Sequence, residues 1–246
     1  MCLVFTRRSG SNAVIDFKKY DVLSFDCYGT LIDWESGILA GLRPILSAHH
    51  IRLDEEQLLK LFAETESAIE QGEYRSYKEV LRRVVEQMSE RLGFTASVSE
   101  LSCLVDSLGT WMPFPDTVSA LEMLKRKYRL AIISNTDDDL FALTAKHLRV
   151  DFDWIITAEQ TRSYKPSLNN FRFAVERIGG PPKRLLHVAQ SLYHDIVPAR
   201  ALGLSTVWVN RRKSTRGFGA TPPAHSQADI EVPDLQGLVS MINSIS

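Results

Sequence analysis

Two hydrophobic patterns divide the chain, and the change between them is abrupt. A short unbroken apolar run at 22–25 reads as a strand buried on both faces. It stops at Asp26, and Gly29-Thr30 supplies the turn chemistry that ends it. From Trp34 to Trp111 the period is helical. Ile38, Leu39, Leu42, Ile45 and Leu46 define one face, and Asp54-Glu55-Glu56-Gln57 opens a second helix carrying Leu58, Leu59 and Phe62. Tyr77, Val80, Leu81, Val84, Val85 and Met88 mark a third, ending at Leu92 before Gly93. Ser97 or Ser99 caps a fourth that carries Leu101, Leu104, Val105 and Leu108. No strand pattern interrupts this block.

Pro113-Phe114-Pro115 punctuates the return, and Asp116 or Thr117 caps a helix running through Leu121 and Leu124. Buried strands are then expected at 130–134, 152–156, 185–189 and 205–209. Helical stretches around Leu140-Phe141, at 168–178 and at 196–202 separate them. Residues 211–227 read as a surface loop, Ile230 and Val232 as an edge strand, and 235–242 as a last helix. Strands alternating with helices make parallel βαβ units. The expected fold is therefore α/β: a doubly wound, Rossmann-like parallel sheet, built from 1–32 and 113–246, with an all-helical cap inserted at 33–112.

In a parallel sheet the loops after the strands share one edge, where ligands bind. The polar residues placed there are Asp26, Ser134-Asn135, Lys165 and Asp195. Each has a bland alternative as a cap, a solvated lysine or a helix-start carboxylate. Together they form a nucleophile site. Asp26 can attack an electrophilic carbon or phosphorus to give an ester that water hydrolyses. Thr30, Ser134, Asn135 and backbone N–H groups after the strand can hold an anionic or leaving group. Lys165 keeps Asp26 ionised, and Asp195 fixes the lysine or directs water.

Composition narrows the partners. Among 246 residues, 44% are hydrophobic and 24% charged, with a formal net charge of −1, so no global field favours nucleic acid or a membrane surface. No apolar run approaches the roughly 18 residues of a spanning helix. The apolar start at Met1 is too short for a secretory signal, with Arg7 and Arg8 only a faint hint of organelle targeting. Cys2, Cys27 and Cys103 have no metal-ligand spacing and suit a reducing compartment. The expectation is a cytoplasmic protein acting on a small molecule. The apolar cap helices could form a homodimer.

Phe25-Asp26-Cys27-Tyr28-Gly29-Thr30-Leu31, Ile133-Ser134-Asn135, Tyr164-Lys165-Pro166 and the Ser191…Asp195 block, in that order, resemble the four motifs of the haloacid dehalogenase superfamily. The Asp-x-Tyr-Gly-Thr form is similar to the L-2-haloacid dehalogenase (type II) branch, and the resemblance covers nearly the whole chain. It implies an aspartyl-ester hydrolase that breaks a carbon–halide bond, with Asp26, Lys165, Asp195 and Thr30 catalytic. Tyr28, Ser134, Asn135, Gln190 and Ser191 then face the substrate, and no cofactor is needed. In the superfamily's phosphatases a second Asp stands where Tyr28 is, and an acidic residue where Gln190 is. The alternative is a phosphatase on a small phosphate or diphosphate ester, with Mg²⁺ on Asp26 and Asp195. A catalytically silent binding member is the third reading. The dehalogenases' cap arginine aligns with Ala63, leaving Arg43 and Arg75 as substitutes, and a family tyrosine becomes Phe171. His194 is expected in or near the pocket, and Trp34, Phe62, Tyr74, Tyr77 and Trp111 among its walls or in the cap core.

Overall fold

The computed structural model describes residues 16–213 and 217–244. Cys2, Arg7 and Arg8 lie outside them. Six parallel strands form one sheet in the order β3-β2-β1-β4-β5-β6. They are β1 (Val22–Phe25), β2 (Arg129–Ser134), β3 (Trp154–Thr157), β4 (Leu185–Ala189), β5 (Ser205–Val209) and β6 (Ile230–Val232). The short apolar runs become strands because helices cover both sheet faces. Every residue of β1 and β4 is buried. β1 lies in the middle, with Phe25 opposite Ile132 of β2 and Val188 of β4. The residue after β1 therefore opens onto the sheet's carboxyl edge beside the ends of β2 and β4.

After β1 the chain leaves the sheet for five successive helices: α1 (Trp34–Ala48), α2 (Glu55–Glu70), α3 (Tyr77–Arg91), α4 (Val98–Leu101) and α5 (Cys103–Leu108). They constitute the inserted helical cap. A capping box of Asp54 and Gln57 starts α2, Ser76 caps α3 and Ser97 caps α4. The single fourth helix expected here is two, broken at Ser102. That hydroxyl donates to the carbonyl of Ser99 and to Asp106, the local competition by which serine disfavours a helix interior.

The returning chain forms α6 (Thr117–Lys125), α7 (Asp138–Leu148), α8 (Ala158–Thr161), α9 (Leu168–Ile178), α10 (Val197–Ala201) and α11 (Leu235–Ser244). Asp116 holds the cap position of α6 without capping it. Its carboxylate instead accepts from Arg211 at 3.0 and 3.3 Å and from the N–H of Leu235 at 2.7 Å, tying the loop after β5 and the last helix to α6. The helix expected at 196–202 is preceded by a wide π-helical turn, Leu192–Ile196, which carries Asp195. None of the described helices is long and apolar enough to cross a membrane.

Candidate active site

Asp26 follows β1 directly and is almost fully buried. One carboxylate oxygen, Oδ1, accepts from Lys165 Nζ at 2.8 Å, and the other, Oδ2, accepts from the Thr30 hydroxyl at 2.6 Å. Burial pushes this carboxyl above its ordinary range, while Lys165 and Thr30 pull it back. Lys165 is buried and fully engaged: its ammonium also donates to Asp195 Oδ1 at 2.7 Å and to the carbonyl of Ile133 at 2.9 Å. Burial works against that charge, but Asp195 and Asp26 outweigh it and hold the lysine protonated. For Asp195, burial is likewise overcome by Lys165 and His187, and its pKa falls.

A second line of support runs into the sheet. His187 Nε2 meets Asp195 Oδ1 at 3.0 Å, and its Nδ1 meets the Ser24 hydroxyl at 2.9 Å. Ser24 and His187 are register partners on β1 and β4, so strand pairing itself aims the imidazole. With Nε2–H serving Asp195, Nδ1 accepts from Ser24. Phe171 packs edge-on against this ring at 5.0 Å.

The loop after β2 sets the remaining geometry. Asn135 clamps the backbone of Lys165, accepting from its N–H at 2.7 Å and donating to its carbonyl at 3.1 Å. Ser134 is buried, and its hydroxyl has no hydrogen-bond partner. The inner cavity, about 30 Å³, is bounded by Asp26, Ser134, Lys165, Glu66, Glu70 and His194, with Tyr28, Asn135, Ser191 and Asp195 also on its wall. The structure thus brings Asp26, Tyr28, Ser134, Asn135, Lys165, Ser191 and Asp195 to one cavity.

Other expectations change. Thr30 and Gln190 are not on the cavity wall. The Thr30 hydroxyl is used within the protein: it donates to Asp26 and accepts the Gln190 N–H at 2.8 Å. The Gln190 side-chain oxygen lies 3.4 Å from the Thr221 hydroxyl. The N–H groups of Gly29, Thr30, Leu31 and Ile32 close their own turn onto Cys27 and Ile32 carbonyls, so they hold no bound anion. Gly29 sits at φ +90°, and a Cβ there would come within 2.9 Å of the Trp34 indole nitrogen; that turn requires glycine. The Tyr28 hydroxyl shares a hydrogen bond with Thr144 at 2.9 Å, and burial raises its pKa far above the ordinary value. It is not poised as an acid for a leaving group.

Neither cap arginine reaches the cavity. Arg43 pairs with Glu55, while Arg75 donates to the carbonyl of Glu73 and lies 3.4 Å from Glu79. What the cap presents instead are Glu66 and Glu70. The Tyr77 hydroxyl donates to Glu66 Oε1 at 2.7 Å, and the Asn135 amide donates to Glu70 Oε2 at 3.4 Å. Burial raises Glu66 to about 7 and Glu70 well above its ordinary value, the latter further lifted by Glu66. The signal was present in the sequence: the buried face set by Leu58, Leu59 and Phe62 continues by helical period to Glu66 and Ile69. Burial lowers the His194 imidazole to about 4, leaving it neutral near pH 7.

Asp26 is thus buried and held by Lys165 and Thr30, and the residue two positions on is Tyr28 rather than an acid. A family model described as haloacid dehalogenase-like hydrolase matches residues 20–203. The chain belongs to that family. Within the family, the chain is 26% identical over 220 residues to (S)-2-haloacid dehalogenase 1 of Pseudomonas sp. (strain CBS-3), covering 86% of this chain and 94% of that one. The L-2-haloacid dehalogenase of Xanthobacter autotrophicus, solved with chloropropionic acid covalently bound, superimposes with a TM-score of 0.77. It is 21% identical and covers 92% of this chain and 100% of its own. Over a shorter stretch of 104 residues the chain is 36% identical to a glyceraldehyde 3-phosphate phosphatase of Methanothermobacter thermautotrophicus, covering 40% of this chain and 45% of that one. Haloacid dehalogenase-like hydrolases thus supply both a dehalogenase and a phosphatase comparison, and the site residues bear on the choice.

Proposed function

We propose that this haloacid dehalogenase-like hydrolase cleaves a carbon–halide bond in a small organic acid or its derivative through an ester on Asp26. Residues 33–112 act as the cap over that carboxylate. The observation that carries the reading is the three-way contact of Lys165 with Asp26, Asp195 and the Ile133 carbonyl. It fixes the orientation of Asp26 and leaves the lysine without a proton to give up. A carboxylate oxygen of Asp26 attacks the carbon bearing the halogen, the carbon–halogen bond breaks, and the halide leaves with the bonding pair. No proton is needed, which agrees with Tyr28 being turned to Thr144. Water then adds to the carboxyl carbon of Asp26, one of its protons passing to the departing alkoxide oxygen and the other to solvent, with Lys165 opposing the negative charge that develops there. The alcohol product leaves and the carboxylate is regenerated. Asp195 and His187 hold the lysine in place, and Asn135 holds its backbone.

The phosphatase reading needs Mg²⁺ between Asp26 and Asp195. The donor set is short of what it needs: one oxygen of each carboxylate is on the same ammonium, Asp26 Oδ2 accepts from Thr30, the Gln190 side-chain oxygen lies 3.4 Å from the Thr221 hydroxyl, and of these carboxylate oxygens Asp195 Oδ2 alone has no partner. Among the described residues, no group of three or more His, Cys, Asp or Glu side chains is arranged to hold a metal.

Multiple turnovers in H₂¹⁸O with a panel of 2-halo acids and 2-halo amides, followed by mass analysis of the Asp26 peptide, test the reading. Halide release with label in Asp26, both lost in Asp26→Asn and both insensitive to EDTA, is expected. Phosphate release that depends on Mg²⁺, with no halide from any panel member, would sink it.

A further inference from the structure

A larger space lies beside the reaction cavity. It is an outer cavity of about 330 Å³ where the end of α2 meets the loop after α8, and it shares Glu70 and Lys165 with the wall of the inner one. The inner cavity, about 30 Å³, holds little more than a water molecule. The outer one is therefore where a small organic molecule can lodge.

Arg162 sets the chemistry of that space. It follows α8 in left-handed backbone, with φ +52°. Its guanidinium lies over the Tyr74 ring at 4.2 Å, and Tyr74 in turn stacks on Tyr164 at 5.5 Å. A guanidinium held over a ring keeps its in-plane N–H donors for other partners. Among the described residues, Arg162 has no hydrogen bond and no ion pair. Lys165, by contrast, has its donors taken by Asp26, Asp195 and Ile133.

The groups around Arg162 favour an anion. Burial and Glu66 hold the Glu70 carboxyl well above its ordinary value, so it keeps its proton at pH 7. One of its oxygens accepts from Asn135 at 3.4 Å, and a protonated carboxyl also offers an O–H. Tyr74 has a buried hydroxyl with no partner. The carboxylates that act on Tyr74 from the sheet side are spent on other donors: Asp137 on Tyr77 and Lys78, Asp138 on Thr157 and Gln160, and Glu159 on the N–H of Asp138. They temper the charge of Arg162 without occupying it.

We infer that the outer cavity is a docking site for a small carboxylate, with Arg162 as its cation. The carboxylate takes two in-plane N–H groups of the guanidinium in the bidentate manner, in the space that the Glu70 O–H also borders. A core arginine thus serves where Arg43 and Arg75 of the cap do not reach. In the proposed reaction, an acid substrate docks here before it passes Glu70 and Lys165 to Asp26; that step alone rests on the carbon–halide reading.

Ligand-detected NMR titration of the full chain at pH 7 with butyrate and with butyramide, close in shape and different in charge, tests the site without turnover. Butyrate should bind at least fivefold more tightly. Arg162→Met should bring the two affinities to within about twofold, while Arg162→Lys, which keeps the charge, should retain most of the preference. Arg162 is exposed, and thermal melts confirm that each variant is folded. Equal or tighter binding of butyramide, no saturable binding of either ligand, or the same preference in the Met and Lys variants overturns the inference. Halide release is measured in parallel. Its absence from the parent chain beside an intact binding preference would remove the dehalogenation reading and leave the site standing. Where halide is released, Arg162→Met should raise KM at least fivefold with kcat within twofold, and an unchanged KM would overturn the docking step.

Discussion

The carboxylate of Asp137, on the sheet side, caps the first turn of the cap helix that begins at Tyr77. It accepts the N–H of Tyr77 at 2.8 Å and that of Lys78 at 3.0 Å, while making no capping contact to its own helix, α7. Beside it the Tyr164 hydroxyl donates to the carbonyl of Arg75 at 2.9 Å. The same Tyr77 carries the hydroxyl that holds Glu66. One aspartate thus connects the loop after β2 to the carboxyl pair on the cavity wall beside Asp26.

Asp137→Ala should therefore loosen the seam as well as shorten the helix. Loss of a capping side chain costs about 0.5–2 kcal/mol, read as a lower melting temperature. The specific signature is faster hydrogen exchange at the amides of Tyr77 and Lys78, with β1 and β4 unchanged. Unaltered protection of those two amides would refute the capping role.

Lys165→Met leaves two buried carboxylates facing each other. Removing one partner from a buried charge group costs about 3–5 kcal/mol, so a large drop in melting temperature is expected at pH 7. Because the cost is the repulsion of two ionised groups, it should shrink as the pH is lowered. A pH-independent loss would mean that the lysine acts by packing alone.

Glu66 gives a stability prediction with a defined sign. Below about pH 4.5, its ordinary value, the carboxyl is protonated in folded and unfolded chains alike and has no differential effect. Between there and about 7, the folded-state value, the unfolded chain releases the proton while the folded chain retains it. Stability falls with rising pH across that window, and the full penalty, on the order of 3 kcal/mol, stands above it. Glu66→Gln should be more stable than the parent at pH 8 and close to it at pH 4, by denaturant titration. Equal stability differences at both pH values would contradict the assignment.

Gly37, in α1, lies against Trp111, where an added Cβ would come within 2.4 Å of the ring. Trp111 in turn meets Tyr28 edge-on at 6.0 Å. Gly37→Ala should cost about 1–3 kcal/mol through overpacking, despite alanine's better helix propensity. A stabilised variant in chemical denaturation would show that the indole moves aside freely.

The sheet and the order of its edge residues are readable because each strand is a short apolar run and each chemical group lies at its end or in the connection after it. Asp26, Ser134 and Lys165 needed only the rule that parallel strands end on a shared edge. Thr30 and Gln190 are harder to place from the sequence. Residue type shows that a hydroxyl or amide is present, but whether it faces a ligand or the protein depends on contacts across 160 positions, as between Thr30 and Gln190. The cap carboxyls were overlooked because glutamates in an acidic helix read as solvated, although helical period continues the buried face of α2 to Glu66. Asp137 reads as the cap of the helix it precedes, and only the folded chain shows that it serves another.

The pairing of Ser24 with His187 has a consequence for how the chain tells a correct fold from a near miss. A slip of one residue between β1 and β4 would turn the imidazole to the opposite face of the sheet. Asp195 would then lose a donor, and the lysine that bridges it to Asp26 would rest on a mispositioned carboxylate. The charge cluster therefore proofreads the sheet: a chain that has paired its central strands wrongly is left with buried ions and no way to neutralise them. Molecules that pass this check already have Asp26 held between Lys165 and Thr30.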